Sequence, residues 1–473
     1  VSIGSGVAVV NESAFDTTSI HLPSPPARIH IVGIGGAGMS GLARMLASRG
    51  YAISGSDIAK SPATDELQAA GMRVAIGHRT EHILGANLVA INAAIRGDNP
   101  EVVAAAERGI PVVKGKALWG LLANDAVCFA VAGSHGKSTT SGMAALALER
   151  AGLDPSFAVG ATVRELGTNA KLGAGPHFVV EADEYDYSFL WLRPSVAVVT
   201  NIEHDHPDLF PDLDAVIGAF ERFIGGIRRD GMLVISADDA GCRRLLERMT
   251  MTGAVRIVTF GMVDGDWRIA PRADGSGQVT GPNGQMFALR LAVPGRHNLL
   301  NALAVLASAD GLGVEPGMLL PGLEAFSGVS RRFEIQRDTP ELVVVSDYAH
   351  HPTEIAATIA AARERYPGRR VMVVFQPHTY SRTKALLDAF AAALDTADEV
   401  VLADIYPSRE TDTLGISSGD IAARMARPIT PAASPEAAAR TARTALRAGD
   451  VALVLGAGDI DRAALLLARG GGA

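Results

Sequence analysis

Val131-Ala-Gly-Ser-His-Gly-Lys-Ser138 is the stretch that leaves this chain the least freedom. An apolar run, 126–131, leads into it, and a helical pattern, 139–150, follows. Strand, glycine-bearing turn and helix in that order make a phosphate cradle. The turn's N–H groups point inward and the helix N-terminus adds positive potential. A lysine there meets phosphate oxygens and a hydroxyl ligates Mg²⁺. The loop is shorter than the full nucleotide-binding pattern, with Val131 where that pattern has its first glycine. Lysine is scarce, at 60, 114, 116, 137, 171 and 384 only, so Lys137 inside such a loop points to function. Gly133, Ser134, His135, Gly136, Lys137, Ser138 and Thr139 are therefore candidate ATP contacts.

A second glycine loop, Gly33-Ile-Gly-Gly-Ala-Gly38, follows the apolar run 28–32 and opens a helix over 39–49, with Asp57 beyond the next strand. Read alone it suggests NAD. Its physical content is narrower: close backbone approach to a diphosphate at a helix N-terminus, with an acid for a ribose hydroxyl. Further alternation of strand and helix to about residue 123 implies a parallel, helix-covered sheet. The phosphate loop opens a second α/β unit whose strands end in acids, at Glu181-Ala-Asp-Glu184 and Asn201-Ile-Glu-His-Asp-His206. Its region 267–292 alternates apolar and polar residues and suits an antiparallel insertion. A third α/β unit starts near 330, with strands at 342–346, 371–375, 400–403 and 451–455. The expected division is a loose tail at 1–27, then domains at 28–123, 124–329 and 330–473.

Glu181 stands at a strand end, where an acidic partner for Mg²⁺ belongs. The run Glu203-His-Asp-His206 also allows a zinc reading, but that needs three or four convergent ligands and no distant Cys or His partner is evident. Asn298 and Asn301 share one helix face with a spacing of three, which suits a nucleobase edge or a polar N-terminal surface. Asp347 closes a strand. Arg332 and Arg382 stand near the junction of the second and third units, where arginines clamp anions.

Composition narrows the class. A net charge of −8 excludes a general nucleic-acid binder, and no run of eighteen apolar residues suggests a membrane span. Two cysteines suggest no disulfide framework, and a reducing cytoplasm is expected.

Taken in order, seven motifs resemble the Mur ligase family of peptidoglycan synthesis. They are Gly133-Ser-His-Gly-Lys-Ser138, Glu181-Ala-Asp-Glu184, Asn201-x-Glu-x-Asp-His206, Gly295-x-His-Asn-x-x-Asn301, Arg331-Arg-Phe-Glu334, Asp347-Tyr-Ala-His-His-Pro352 and Pro377-His-x-Tyr-Ser-Arg382. The first glycine loop resembles the branch that adds the first amino acid. The resemblance implies a Rossmann-like UDP-binding domain, a central P-loop ATPase-like domain and a Rossmann-like C-terminal domain that closes over ATP. It implies L-alanine joined to the lactoyl carboxylate of UDP-N-acetylmuramate through an acyl phosphate, with ATP and Mg²⁺. It also implies roles. Lys137, His351, Arg382 and Arg332 would be catalytic, and Asn298, Asn301 and Asp347 would meet ATP. Gly35, Gly36, Ala37, Gly38, Met39, Ser40, Asp57 and Asn169 would meet the UDP-sugar. Ser138, Glu181 and His206 would position metal. Neither nucleic acid nor membrane is an expected partner, and self-association is expected to be at most a weak homodimer. A tripeptide-adding recycling ligase and a nicotinamide dehydrogenase are the alternatives. Without ligands, the catalytic residues of the central and third domains are expected to stand apart.

Overall fold

Three sheets divide the computed structural model, which describes residues 20–92, 94–249, 255–272 and 275–469. Most of the expected tail, residues 1–19, therefore lies outside the described residues, as does Ala93.

The first sheet is parallel, made of β1 (Arg28–Val32), β2 (Ala52–Asp57), β3 (Arg73–Ile76), β4 (Leu88–Ile91) and β5 (Val112–Lys114) in the order β3-β2-β1-β4-β5. Strand order reverses beside β1, and the crevice at such a switch point, beyond the strand C-termini, is where ligands bind. The helix after β1, Ala37–Ser48, begins there.

The second sheet holds ten strands. They are β6 (Val127–Ala132), β7 (Ser156–Val163), β8 (Thr168–Lys171), β9 (His177–Glu181), β10 (Val196–Val199), β11 (Met232–Ser236), β12 (Arg256–Gly261), β13 (Trp267–Pro271), β14 (Gly277–Thr280) and β15 (Met286–Leu289). Their order is β15-β14-β13-β12-β11-β10-β6-β9-β7-β8. β6 lies between β10 and β9, buried almost throughout, as the unbroken apolar run demands. The expected antiparallel insertion is β13–β15. A shared apolar core links this unit to the first: Met39, Trp119 and Leu122 belong to one cluster with Phe178, Phe189 and Trp191.

The third sheet comprises β16 (Glu334–Asp338), β17 (Leu342–Asp347), β18 (Val371–Phe375), β19 (Glu399–Ala403), β20 (Thr430–Ala432) and β21 (Asp450–Leu455), in the order β16-β17-β21-β18-β19-β20. Only β16 runs antiparallel. Its central strands read Val-Met-Val-Val-Phe and Asp-Val-Ala-Leu-Val-Leu, buried on both faces. Each large side chain so buried contributes about 1.5–3 kcal/mol, which fixes the C-terminal strand ends where the site is built.

Candidate functional site

Several helices here begin on a side-chain cap: Ser61, Asn99, Asp212, Asp239, His351 and Ser434 each accept a first-turn N–H. Three begin on a glycine with no side-chain cap instead: Gly36, Gly136 and Gly295. Their first-turn amides keep their positive potential for an anion or polar ligand. Each of the three opens on one of two cavities.

The first cavity, about 330 Å³, lies between the central and third units. His135, Gly136, Thr139, His297, Asn298, Asn301, Arg332 and Asp347 line it. The loop glycines are sterically required. A Cβ on Gly133, whose φ is +142°, would meet Thr200 Oγ1 at 2.0 Å. One on Gly136, at φ +81°, would meet Asn301 Oδ1 at 2.8 Å. Asn298 Nδ2 donates to Pro294 O at 2.6 Å, and Asn301 Nδ2 donates to Asn298 Oδ1 at 3.2 Å. The pair therefore presents a fixed polar wall. Burial lowers the His297 pKa to about 4, so this wall residue is neutral. Burial also raises the Asp347 carboxyl, which accepts N–H bonds from Phe333 and Ala349 at 2.8 Å each.

The second cavity, about 440 Å³, lies against the first unit. Gly36, Gly38, Met39, Asn169, Glu181, Asp183 and Asp186 are on its walls. Gly35 N–H donates to Asp57 Oδ2 at 2.8 Å, so Asp57 braces the glycine loop itself. Ser40 is buried in the helix behind it, and Ala37 is that helix's first residue. Asn169 accepts from Arg44 Nη2 at 2.7 Å, and Glu181 Oε2 accepts from Gly160 N–H at 2.7 Å.

Lys137 links the two linings, following Gly136 of the first and bonding Glu184, which follows Asp183 of the second. Its ammonium donates to both Glu184 oxygens, at 3.0 and 2.8 Å, and to Gly133 O at 2.7 Å. Burial opposes its charge, but Glu184 and Asp183 outweigh that and raise its pKa. Glu184 itself is pushed up to about 7, first by burial and then by Asp183, with Lys137 opposing. Lys137 and Lys116, the latter 3.7 Å from Asp183, leave the three carboxylates of Glu181, Asp183 and Glu184 with one negative charge over. This surplus of hard oxygen donors, beside buried Ser138 and with His206 Nε2 3.7 Å from Glu184, suits a divalent cation shared with phosphate. Ser134 contributes differently: its hydroxyl accepts from Glu203 N–H at 2.9 Å, fastening the loop to the segment after β10.

The structure brings the central and third units into contact. Arg382 Nε meets Asp205 Oδ1 at 2.7 Å with both side chains buried, and Thr353 Oγ1 donates to Glu203 Oε2 at 2.7 Å. His351 Nδ1 lies 3.3 Å from Glu203 Oε2, while His351 Nε2 is buried without a hydrogen-bond partner. These charge pairs span the junction and hold the catalytic candidates together. Arg332 pairs with Glu354 at 3.0 Å on the third unit.

Sequence reasoning missed Glu203, Thr353 and Glu354 as junction residues, and Asp238 and Asp239 in the first cavity's wall. Glu203 and Glu354 flank His135, at 3.2 Å from Nε2 and 3.4 Å from Nδ1. Burial opposes the His135 charge, but those carboxylates raise its pKa to about 9. The zinc reading of 203–206 fares poorly: the His204 ring bonds Phe210 O at 2.9 Å. Among the described residues, the group with metal-ligand spacing is His135, Glu203 and His351, and its carboxylate already serves Thr353.

Comparison with known proteins adds three domain matches: "Mur ligase family, catalytic domain" over residues 28–126, "Mur ligase middle domain" over 131–309 and "Mur ligase, glutamate ligase domain" over 331–458. The chain is similar to the UDP-N-acetylmuramate–L-alanine ligase of Paenarthrobacter aurescens, with 45% identity over 94% of this chain and 97% of that protein. It is similar to the crystal structure of UDP-N-acetylmuramate-alanine ligase from Thermotoga maritima, with 30% identity, TM-score 0.77, and coverage of 93% and 98% of the two chains. A murein peptide ligase from Psychrobacter arcticus shares the fold, at 24% identity and TM-score 0.71 over 93% and 98%.

Proposed function

The chain belongs to the Mur ligase family, and from that membership and its two cavities we propose that it joins L-alanine to the lactoyl carboxylate of UDP-N-acetylmuramate, cleaving ATP to ADP and phosphate, in peptidoglycan precursor synthesis. The observation that carries the reading is the shared partition. His135, Gly136 and Thr139 of the phosphate loop line the first cavity, Glu181, Asp183 and Asp186 line the second, and Lys137, next to Gly136, bonds Glu184, next to Asp183. A phosphoryl group held in one cavity then has a carboxylate acceptor in the other.

A carboxylate is a poor electrophile because its leaving group would be oxide. Its oxygen attacks the γ-phosphorus, the bond to the β–γ bridging oxygen breaks, and ADP leaves. The amine of alanine then attacks the acyl carbon, and phosphate leaves with the former carboxylate oxygen. The phosphate-loop amides and Lys137 hold the β- and γ-phosphates and oppose the charge that develops on transfer. Asn298, Asn301 and His297 shape the wall for adenine, and Asp347 serves the ribose. The Gly35–Met39 loop, with its uncapped helix start, takes the UDP diphosphate, and Asn169 faces the sugar. Ser138, Glu181 and His206 would hold Mg²⁺, which supplies charge neutralisation on the phosphates when bound. His351 and Arg382, already seated against Glu203 and Asp205, complete the reacting centre and exclude water. Among the described residues no helix is long and apolar enough to cross a membrane, and we place the reaction in the cytoplasm, beside its nucleotide substrates.

Phosphate release with UDP-N-acetylmuramate, ATP and each acceptor in turn tests the reading. Release with L-alanine and none with a tripeptide is expected. Turnover with the tripeptide alone would transfer the assignment to the recycling branch.

A further inference from the structure

Four lysine and arginine side chains line the two cavities, and three are held by carboxylates. Lys114 pairs with Asp186 at 2.7 Å, Lys116 with Asp183 at 3.7 Å and Arg332 with Glu354 at 3.0 Å. The fourth, Arg409, has no carboxylate within ion-pair distance among the described residues, although it stands on the wall of the second cavity. Its guanidinium rests over the Tyr185 ring, 4.2 Å from the centroid. A ring face fixes a guanidinium's position and leaves its N–H edge free to donate.

Arg409 is also held in register with the reacting centre. Tyr406 N–H donates to Pro377 O at 2.8 Å, Thr379 N–H donates to Tyr406 O at 2.9 Å, and the Tyr406 ring stacks on His378. Glu410 accepts from the Tyr380 and Ser381 amides and the Ser381 hydroxyl. The loop bearing Arg409 is thus fastened to the segment bearing Arg382. Arg382 itself is buried and committed to Asp205, so it has little capacity for an incoming anion.

We propose that Arg409 binds the α-carboxylate of the incoming amino acid, an assignment that rests on the ligase reading above. The reaction brings several anionic groups. The UDP diphosphate belongs to the first glycine loop and the ATP phosphates to the other cavity. The muramoyl carboxylate must approach the γ-phosphate near Lys137. The amino acid's carboxylate is left, and alanine's methyl offers no other charged handle besides the attacking amine. A free guanidinium carried in by the third unit matches that carboxylate bidentately.

Steady-state kinetics of the full chain with Arg409→Ala and Arg409→Lys test it. Arg409 is exposed, so both variants should fold, and matching thermal melts would verify this. The KM for L-alanine should rise on the order of 10- to 100-fold in the alanine variant, and less in the lysine variant, which keeps charge but loses the fork. The KM values for ATP and UDP-N-acetylmuramate should move less than about 3-fold. Wild type should prefer L-alanine over L-alaninamide, and Arg409→Ala should lose that preference. An unchanged alanine KM, a retained preference, or a rise confined to the UDP-sugar KM would each overturn the assignment while leaving the ligase reading standing. Wild-type protein that turns over no alanine would overturn both.

Discussion

His135 offers a way to measure what holds the third unit against the phosphate loop. Its imidazole sits between Glu203, on its own unit, and Glu354, across the junction, with 12% of the side chain exposed. The rise from 6.5 to about 9 corresponds to about 3 kcal/mol favouring the charged ring. The two carboxylates lie at similar distances, so roughly half, about 1–2 kcal/mol, is lost if the third unit swings away; that is about tenfold in the ratio of closed to open forms. The neighbouring His351 is held below its ordinary value by burial and by His135, so it stays neutral and does not cancel the effect. Because the closed form raises the pKa above that of the open form, which keeps Glu203, its advantage is fully present below the open form's pKa and fades as pH rises through about 9. Solution scattering of the ligand-free chain should show a compact radius of gyration near neutral pH and an increase as pH passes about 9. His135→Gln, which keeps hydrogen bonding but not charge, should flatten that pH response and bring the larger radius to neutral pH. A variant that follows the wild-type curve would refute the ionic tie.

Three further outcomes test other parts of the molecule. Lys137→Ala should lower turnover on the order of 10²-fold or more, with UDP-sugar binding by calorimetry nearly untouched; equal loss of both would contradict two separate sites. Gly35→Val adds carbon 2.9 Å from Asp57 Oδ2, so the UDP-sugar KM should rise strongly and the ATP KM should not, and NADH titration should show no tight binding. Glu101 is buried beside His30, Ser56 and His82; burial opposes its charge, yet those partners hold it at about 2. Its contribution is present above about pH 4.5 and lost as pH falls towards 2, so Glu101→Gln should lower the thermal midpoint at neutral pH and weaken its acid dependence. Equal midpoints in both proteins across that range would remove this role.

The parts legible in the sequence are those whose chemistry is local. The phosphate loop could be read because strand, glycines, lysine and helix follow one another without a break. The same holds for Gly33–Gly38, where the φ of +76° at Gly33 and the crowding of Gly35 against Asp57 restrict the residues that fit. β16 and β20 carried no such signal. β16 is the polar run Glu-Ile-Gln-Arg-Asp at a sheet edge, and β20 is three residues with a proline at the other edge. Neither alternates or buries enough side chain to stand out.

At the site, the boundary of legibility runs between residues that touch a ligand through their own loop and residues that act by meeting a distant partner. Glu203 meets Thr353 across 150 residues, and Arg382 meets Asp205 across 177. No spacing rule links such pairs; only the packing of the third sheet against the central unit brings them together. The approach of these residues could not be read from the sequence for this reason. Motif chemistry assigns roles to Arg382 and His351 but is silent about Glu203, which is half-buried and shared with His135, and about Asp205, whose buried charge needs Arg382. Removing one partner of a buried pair typically costs about 3–5 kcal/mol. Asp205, held well below the ordinary carboxylate range chiefly by Arg382 against the opposing effect of burial, is charged at every physiological pH. Opening must therefore rehydrate both members at once, as whole-unit motion does and local fraying does not. A separation of the two units would then carry Arg382, His351 and Arg409 away together, because all three stand on the third unit.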